Sequence, residues 1–252
     1  WNKDENNWIP YRTNKNLFNK NIDGNTNIST LINQEIIEIQ DINNQFHGCE
    51  KGSQKKESLI VEKDQLFIGI TLIRFKFDPN SITAINKYPL VKIKGNVILD
   101  EIKLAIKNND FHKGDYTPLC YIIHLGEDLG SGHYVSMIRT DDDWYLANDS
   151  TILKFETVLP EEKKKIEGQA YFVIYVKTAA YNKVKTKLKE PKGIINNGNT
   201  CFFNALLQTI FHMKKTEELI EEQTAADAQV AADAKVAEDA KVVATAAAGN
   251  EA

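Results

Sequence analysis

The sequence predicts an α+β fold, with an antiparallel sheet through the middle of the chain and a helical segment after it. Two observations carry this. Between residues 59 and 177, short β-branched and aromatic runs recur with polar turn residues between them. After Thr200 the period becomes helical, and Phe203, Leu206, Leu207, Ile210 and Phe211 make one apolar face. With 252 residues, 42% of them hydrophobic, the chain can bury a core of good size.

Residues 1–30 form a polar, Asn-rich lead-in that is partly loop. From Leu31 to Ile42 apolar residues alternate, as in a strand or an amphipathic segment. Strand-like runs follow at Leu59–Val61 and Leu66–Phe77, the second ending at the turn signal Asp78-Pro79-Asn80. Others lie at Tyr88–Ile93, Cys120–Leu125, His133–Ile138, Trp144–Asn148 and Ala170–Lys177, whereas Leu99–Asn108 has helical spacing. Residues 31–177 read as one sheet region, 178–192 as a Lys-rich connector and 193–222 as a cysteine-bearing helical segment. Residues 223–252 repeat AADAQV, AADAKV, AEDAKV. Alanine favours helix, but a six-residue period turns each valine by about 120°, so no continuous stripe forms. A solvated helix is the reading; a packed thumb-like helix is the alternative.

The formal net charge is −4 with both signs interspersed, which argues against a nucleic-acid binder. No run approaches the roughly 18 apolar residues of a membrane span. The opening Trp1-Asn-Lys-Asp-Glu is unlike a signal peptide and reads as a fragment boundary. Cys49, Cys120 and Cys201 are odd in number, widely spaced and without a CxxC pair. No disulfide framework, no thiolate zinc site and no cofactor are expected, and a reducing, intracellular setting fits.

Two segments carry chemistry. In Gly193-Ile-Ile-Asn-Asn-Gly-Asn-Thr-Cys-Phe-Phe-Asn-Ala-Leu-Leu-Gln208, a cysteine stands at a helix start, where the macrodipole and unpaired N–H groups favour a thiolate. Tyr121-Ile-Ile-His-Leu-Gly126, Gly130-Ser-Gly-His-Tyr134 and Trp144-Tyr-Leu-Ala-Asn-Asp149 form the second. If the hairpin pairs residues summing to about 281, Asn148 lies directly opposite His133. One imidazole nitrogen is then held by a polar group and the other faces a thiol, as an activated cysteine nucleophile requires.

Both segments resemble the signature boxes of the ubiquitin-specific proteases, papain-like enzymes with fingers, palm and thumb. Asn196, Gly198, Asn199, Thr200, Cys201, Asn204, Ala205, Leu207 and Gln208 match the cysteine box. His124, Gly126, Gly132, His133, Tyr134, Trp144, Asn148 and Asp149 match the histidine box. Ala170–Tyr175 and Leu66–Phe75 are similar to palm strands of the family. The resemblance implies a thiol-dependent deubiquitinase that cuts after the C-terminal glycine of ubiquitin or a ubiquitin-like modifier. It implies Cys201 as nucleophile, His133 as general base, Asn148 as its orienter with Asp149 as an assisting or alternative third member, and Asn196 as oxyanion donor. Gly132 and Tyr134 would shape the channel for a Gly-Gly tail; His124, Trp144 and Cys120 read as packing residues.

The order departs from the family, since the histidine box precedes the cysteine box. A circular permutation with residues 178–192 as connector accounts for this; a junction of two tandem catalytic domains is the alternative. Cys49 stands alone where fingers zinc thiols would sit, so no metal is expected. Little sequence remains for a thumb after Met213, which keeps a non-catalytic ubiquitin-binding module as the second reading of function. An enzyme of a eukaryotic cytosol and a bacterial protein delivered into such a host both fit.

Overall fold

Alternation along single strands decides the centre of the fold. In Phe67–Ile73 the side chains of Ile68, Ile70 and Leu72 are buried and those between them are not. Each such aliphatic side chain contributes about 1.5–3 kcal/mol by leaving water. In Ala170–Lys177, Val173 and Tyr175 enter one apolar cluster while Ile174 and Val176 enter another. Both sheet faces are therefore covered.

The computed structural model describes residues 2–4, 7–9, 17–21, 25–33, 38–39, 54–55, 60–77, 80, 90–93, 95–106, 109–126 and 131–248. The Asp78-Pro79 turn signal and Cys49 lie outside these residues.

Seven strands follow one another across the large sheet: Thr151–Lys154, Asp143–Asn148, His133–Thr140, Asn109–Leu125, Ala170–Lys177, Phe67–Ile73 and Leu17–Asn21. Ile102–Ile106 pairs with the first half of Asn109–Leu125 and carries Ile60–Val61 beyond it. Pairing is antiparallel except for Leu17–Asn21 on Phe67–Ile73 and Ile60–Val61 on Ile102–Ile106. Pro118 has no N–H to offer a ladder, and the register shifts between Pro118 and Cys120.

Helix α1 (Ile28–Asn33) packs Ile28, Leu31 and Ile32 onto Ile68, Ile70 and Leu72. Helix α2 (Pro160–Ile166) sets Ile166 against Ile123, Val135, Met137 and Leu146. Helix α3 (Thr178–Val184) and helix α4 (Cys201–Ala248) cover Leu119, Cys120, Ile138 and Ile174 through Tyr181, Val184 and Leu219.

Three expectations are corrected. Within Leu99–Asn108 the described residues are not helical: Ile102–Ile106 is a strand whose buried Ile102 and Leu104 flank exposed Lys103. The connector contains α3, whose Tyr181 and Val184 enter the core. The apolar face of α4 is the outer one, with Phe203, Ile210 and Phe211 exposed, while Asn204, Ala205, Gln208, Thr209, His212 and Thr216 face inward. The cysteine segment and the repeat form one continuous helix whose side chains are exposed through 224–238. Helix α2 was not anticipated, though Pro160 at its start, Glu161 and Glu162 in its first turn and Lys163–Lys165 in its last favour it.

Candidate active site

The hairpin that carries His133 turns through Asp141-Asp142, with Asp141 in the left-handed region at φ 55°. Its ladder runs from Thr140 opposite Asp143 to Ser136 opposite Ala147, so paired residues sum to 283. The expected register, near 281, would put the two-residue turn at Thr140-Asp141; the turn falls one residue later, at Asp141-Asp142, and each residue's partner moves by two. A two-residue displacement preserves the face. Asn148 therefore lies diagonal to His133 and still reaches it: His133 Nε2–H donates to Asn148 Oδ1 at 2.6 Å. An amide oxygen only accepts, so the proton sits on Nε2 and the Nδ1 lone pair is left for a thiol.

The strand ends at Asn148, and Asp149 turns out of it with φ 50°. Its carboxylate then points where strand geometry would forbid. Asp149 Oδ2 stands 3.8 Å from His133 Nε2. The same oxygen accepts from Asn196 Nδ2 at 2.8 Å, and Oδ1 accepts from Asn204 Nδ2 at 2.8 Å. Asp149 also offers its backbone carbonyl to Ile194 N–H at 2.8 Å and to Gln208 Nε2 at 3.2 Å. Gln208 Oε1 in turn accepts from Ser136 Oγ at 3.2 Å. Gly193 passes so close to Ser150 that a Cβ there would run into its carbonyl. The cysteine segment is thus docked on the end of the histidine hairpin through Asp149.

Cys201 is a free, partly exposed thiol at the first residue of α4. Asn196 Oδ1 accepts from the Thr200 N–H at 3.3 Å and from Thr200 Oγ1 at 3.0 Å, closing the loop that leads into the helix. Among the described residues no hydrogen bond joins Cys201 to His133. Where a thiol and an imidazole act together, the hydrogen bond between them is commonly loose until substrate is bound.

Gly132 has φ 127°, and a Cβ there would lie 2.6 Å from Leu125 O and 2.7 Å from His124 Nε2, so only glycine fits. Tyr134 meets Phe202 edge-on at 5.0 Å and Tyr171 at 6.4 Å. Burial, with Tyr171 and Cys201 nearby, pushes its phenol above the ordinary range. His124 is buried and packs against Phe75 and Tyr134, donating Nε2–H to Ser131 O at 3.1 Å. Burial, and then Lys92, lowers its pKa. Trp144 stacks edge-on with Tyr121 at 5.2 Å. Cys120 is fully buried, and burial pushes its thiol far up. No group of His, Cys, Asp or Glu that could hold a metal occurs among the described residues. No helix there is long and apolar enough to cross a membrane.

Two amides in this network, Asn204 and Gln208, had no assigned role in the sequence reading. The signal for them was their spacing: Asn204, Gln208, His212 and Thr216 recur every four residues and all are buried.

Residues 18–175 match the family model described as "Ubiquitin carboxyl-terminal hydrolase". This range holds His133, Asn148 and Asp149 and stops before Cys201. Ubiquitin carboxyl-terminal hydrolase 46 of Caenorhabditis elegans is 26% identical over 124 residues, 47% of this chain and 28% of that protein. Human ubiquitin carboxyl-terminal hydrolase 3 is 24% identical over 137 residues, 53% of this chain and 25% of that protein. The chain thus spans about a quarter of the length of these curated relatives. A solved structure of the yeast SAGA DUB module aligns with TM-score 0.46 at 18% identity, over 64% of this chain and 34% of its own.

Proposed function

The chain belongs to the ubiquitin carboxyl-terminal hydrolase family, and from that premise we propose that it is a thiol-dependent deubiquitinase. The substrate is a conjugate of ubiquitin or a ubiquitin-like modifier, cut after the modifier's C-terminal glycine. The observation that carries this is the docking of the cysteine segment on the histidine hairpin through Asp149.

Cys201 attacks the glycine carbonyl. His133 takes the thiol proton on Nδ1 and returns it to the leaving amine. Asn148 fixes the tautomer that leaves Nδ1 free. Asp149 Oδ2 faces the same nitrogen at 3.8 Å. One Asn196 amide proton is engaged by Asp149, and the other is available to the oxyanion, a contribution of about 3 kcal/mol per donor. Gly132, packed against Leu125 and His124, and Tyr134 with Phe202 shape the channel for a tail without side chains.

The reversed order of the two boxes is read as a circular permutation, supported by the contacts that residues 192–208 make within the same chain. Conjugates of this kind occur inside cells, so a cytosolic setting is part of the same reading. The test is release of a fluorescent amine from the ubiquitin C-terminus. Turnover by the wild type, lost in Cys201→Ala and in His133→Ala, supports the proposal; turnover that survives either substitution defeats it.

A further inference from the structure

The geometry points to Asn204 as the positioning residue that ties the nucleophile's helix to the carboxylate behind the histidine, an inference that rests on the thiol-protease reading above. Asn204 lies three residues after Cys201, and its N–H donates to Thr200 O at 2.8 Å, which fixes it in the first turn of α4. Asparagine is a poor choice for a helix interior, and a buried amide has to be satisfied. Asn204 is 3% exposed, and its Nδ2 donates to Asp149 Oδ1 at 2.8 Å, with Ile194 O and Ile195 O at 3.4 Å each.

Asp149 is therefore held by both oxygens. Asn204 takes Oδ1, while Asn196 takes Oδ2, the oxygen that faces His133 at 3.8 Å. With one oxygen held, the carboxylate could still turn about its own axis; with two held it cannot. One of the two donors shares a helical turn with the nucleophile. The placing of Cys201 and the field at His133 are thereby coupled, although Asn204 touches neither reacting atom. Gln208, one turn further on, secures the Asp149 backbone in the same way.

The experiment is alkylation of Cys201 by iodoacetamide, in which the thiolate displaces iodide and forms a thioether. Its rate reports thiol activation and needs no ubiquitin substrate. The full chain, Asn204→Ala, Asp149→Ala and the double variant are compared near neutral pH, with mass spectrometry locating the label. Asn204→Ala should slow Cys201 alkylation by about tenfold, the scale of a lost hydrogen bond to a charged group. Asp149→Ala should slow it at least as much, and the double variant no further than Asp149→Ala alone. Equal slowing by Asn204→Ala in both backgrounds marks a merely structural role and overturns the inference, as does no slowing at all. Asn204→Ser, with a shorter donor, enters the same cycle with the same expectation should the alanine variant not fold. Wild-type alkylation no faster than that of His133→Ala removes the thiol–imidazole reading and the positioning role with it.

Discussion

Asp149 stands 3.8 Å from His133 without lying on the strand that brings its neighbour Asn148 to the same imidazole. The chain turns left-handed at Asp149, with φ 50°, and the carboxylate swings to the side where strand alternation would not put it. Two consecutive residues thus serve one nitrogen differently. Asn148 makes the hydrogen bond, and Asp149 faces the nitrogen at 3.8 Å and holds the cysteine segment.

This division predicts different damage from two substitutions. Asn148→Ala should lower turnover by tens- to hundreds-fold, milder than the roughly 10⁴-fold seen for a serine-triad aspartate, with little change in melting temperature. Asp149→Ala should lower turnover and also cost roughly 3 kcal/mol of stability, because Asn196 and Asn204 lose a charged acceptor. Steady-state kinetics and thermal melts of both variants check this. Equal melting temperatures would show that Asp149 does not hold the two segments together.

A second prediction concerns the reversed order of the boxes. If the site forms within one chain, mixing Cys201→Ala with His133→Ala protein should restore no activity, and wild-type specific activity should not change with concentration. Recovery in the mixture would mean that the two boxes belong to different copies.

Much of the site was legible because it depends on a few chemically distinctive residues at short spacing. Cys201 after Asn-Thr, and Gly132-His-Tyr134 before Asn148-Asp149, need no tertiary information to be noticed. The hairpin register did need it, since a two-residue turn at 140–141 or at 141–142 fits the same residues and only its position fixes which residues oppose. Leu99–Asn108 was ambiguous on its own terms: 99, 102 and 106 suit a helix, while 102, 104 and 106 suit a strand. The partner, Tyr116 opposite Ile102, decides. Helix α4 misleads more deeply, because hydropathy marks Phe203, Ile210 and Phe211 while the docked face carries Asn204, Gln208 and His212. Buried amides that satisfy a site leave no apolar trace.

His212 makes a third prediction. It is 8% exposed, and its Nε2–H donates to Arg139 O at 2.7 Å. Burial pushes its pKa down from 6.5 to about 4. The unfolded chain therefore binds this proton more readily than the folded one. The stability that neutral His212 provides is complete above about pH 6.5 and is lost as pH falls towards 4. The loss over that window is about 3 kcal/mol, from 1.36 kcal/mol per pKa unit. His212→Gln, which keeps a donor and cannot titrate, should flatten the fall in melting temperature across this range. Parallel slopes for wild type and variant would contradict the assignment.

With Cys201 as the nucleophile and the C-terminus of ubiquitin or a close relative as its target, one thiol of this chain should react with a ubiquitin that bears an electrophile there. Ubiquitin carrying a thiol-reactive C-terminal warhead tests this most directly, with peptide mass spectrometry to find the adduct. A single covalent adduct is expected at Cys201, none at Cys49 or at the buried Cys120, and none in Cys201→Ala. An adduct on another cysteine, or labelling that survives Cys201→Ala, would contradict it.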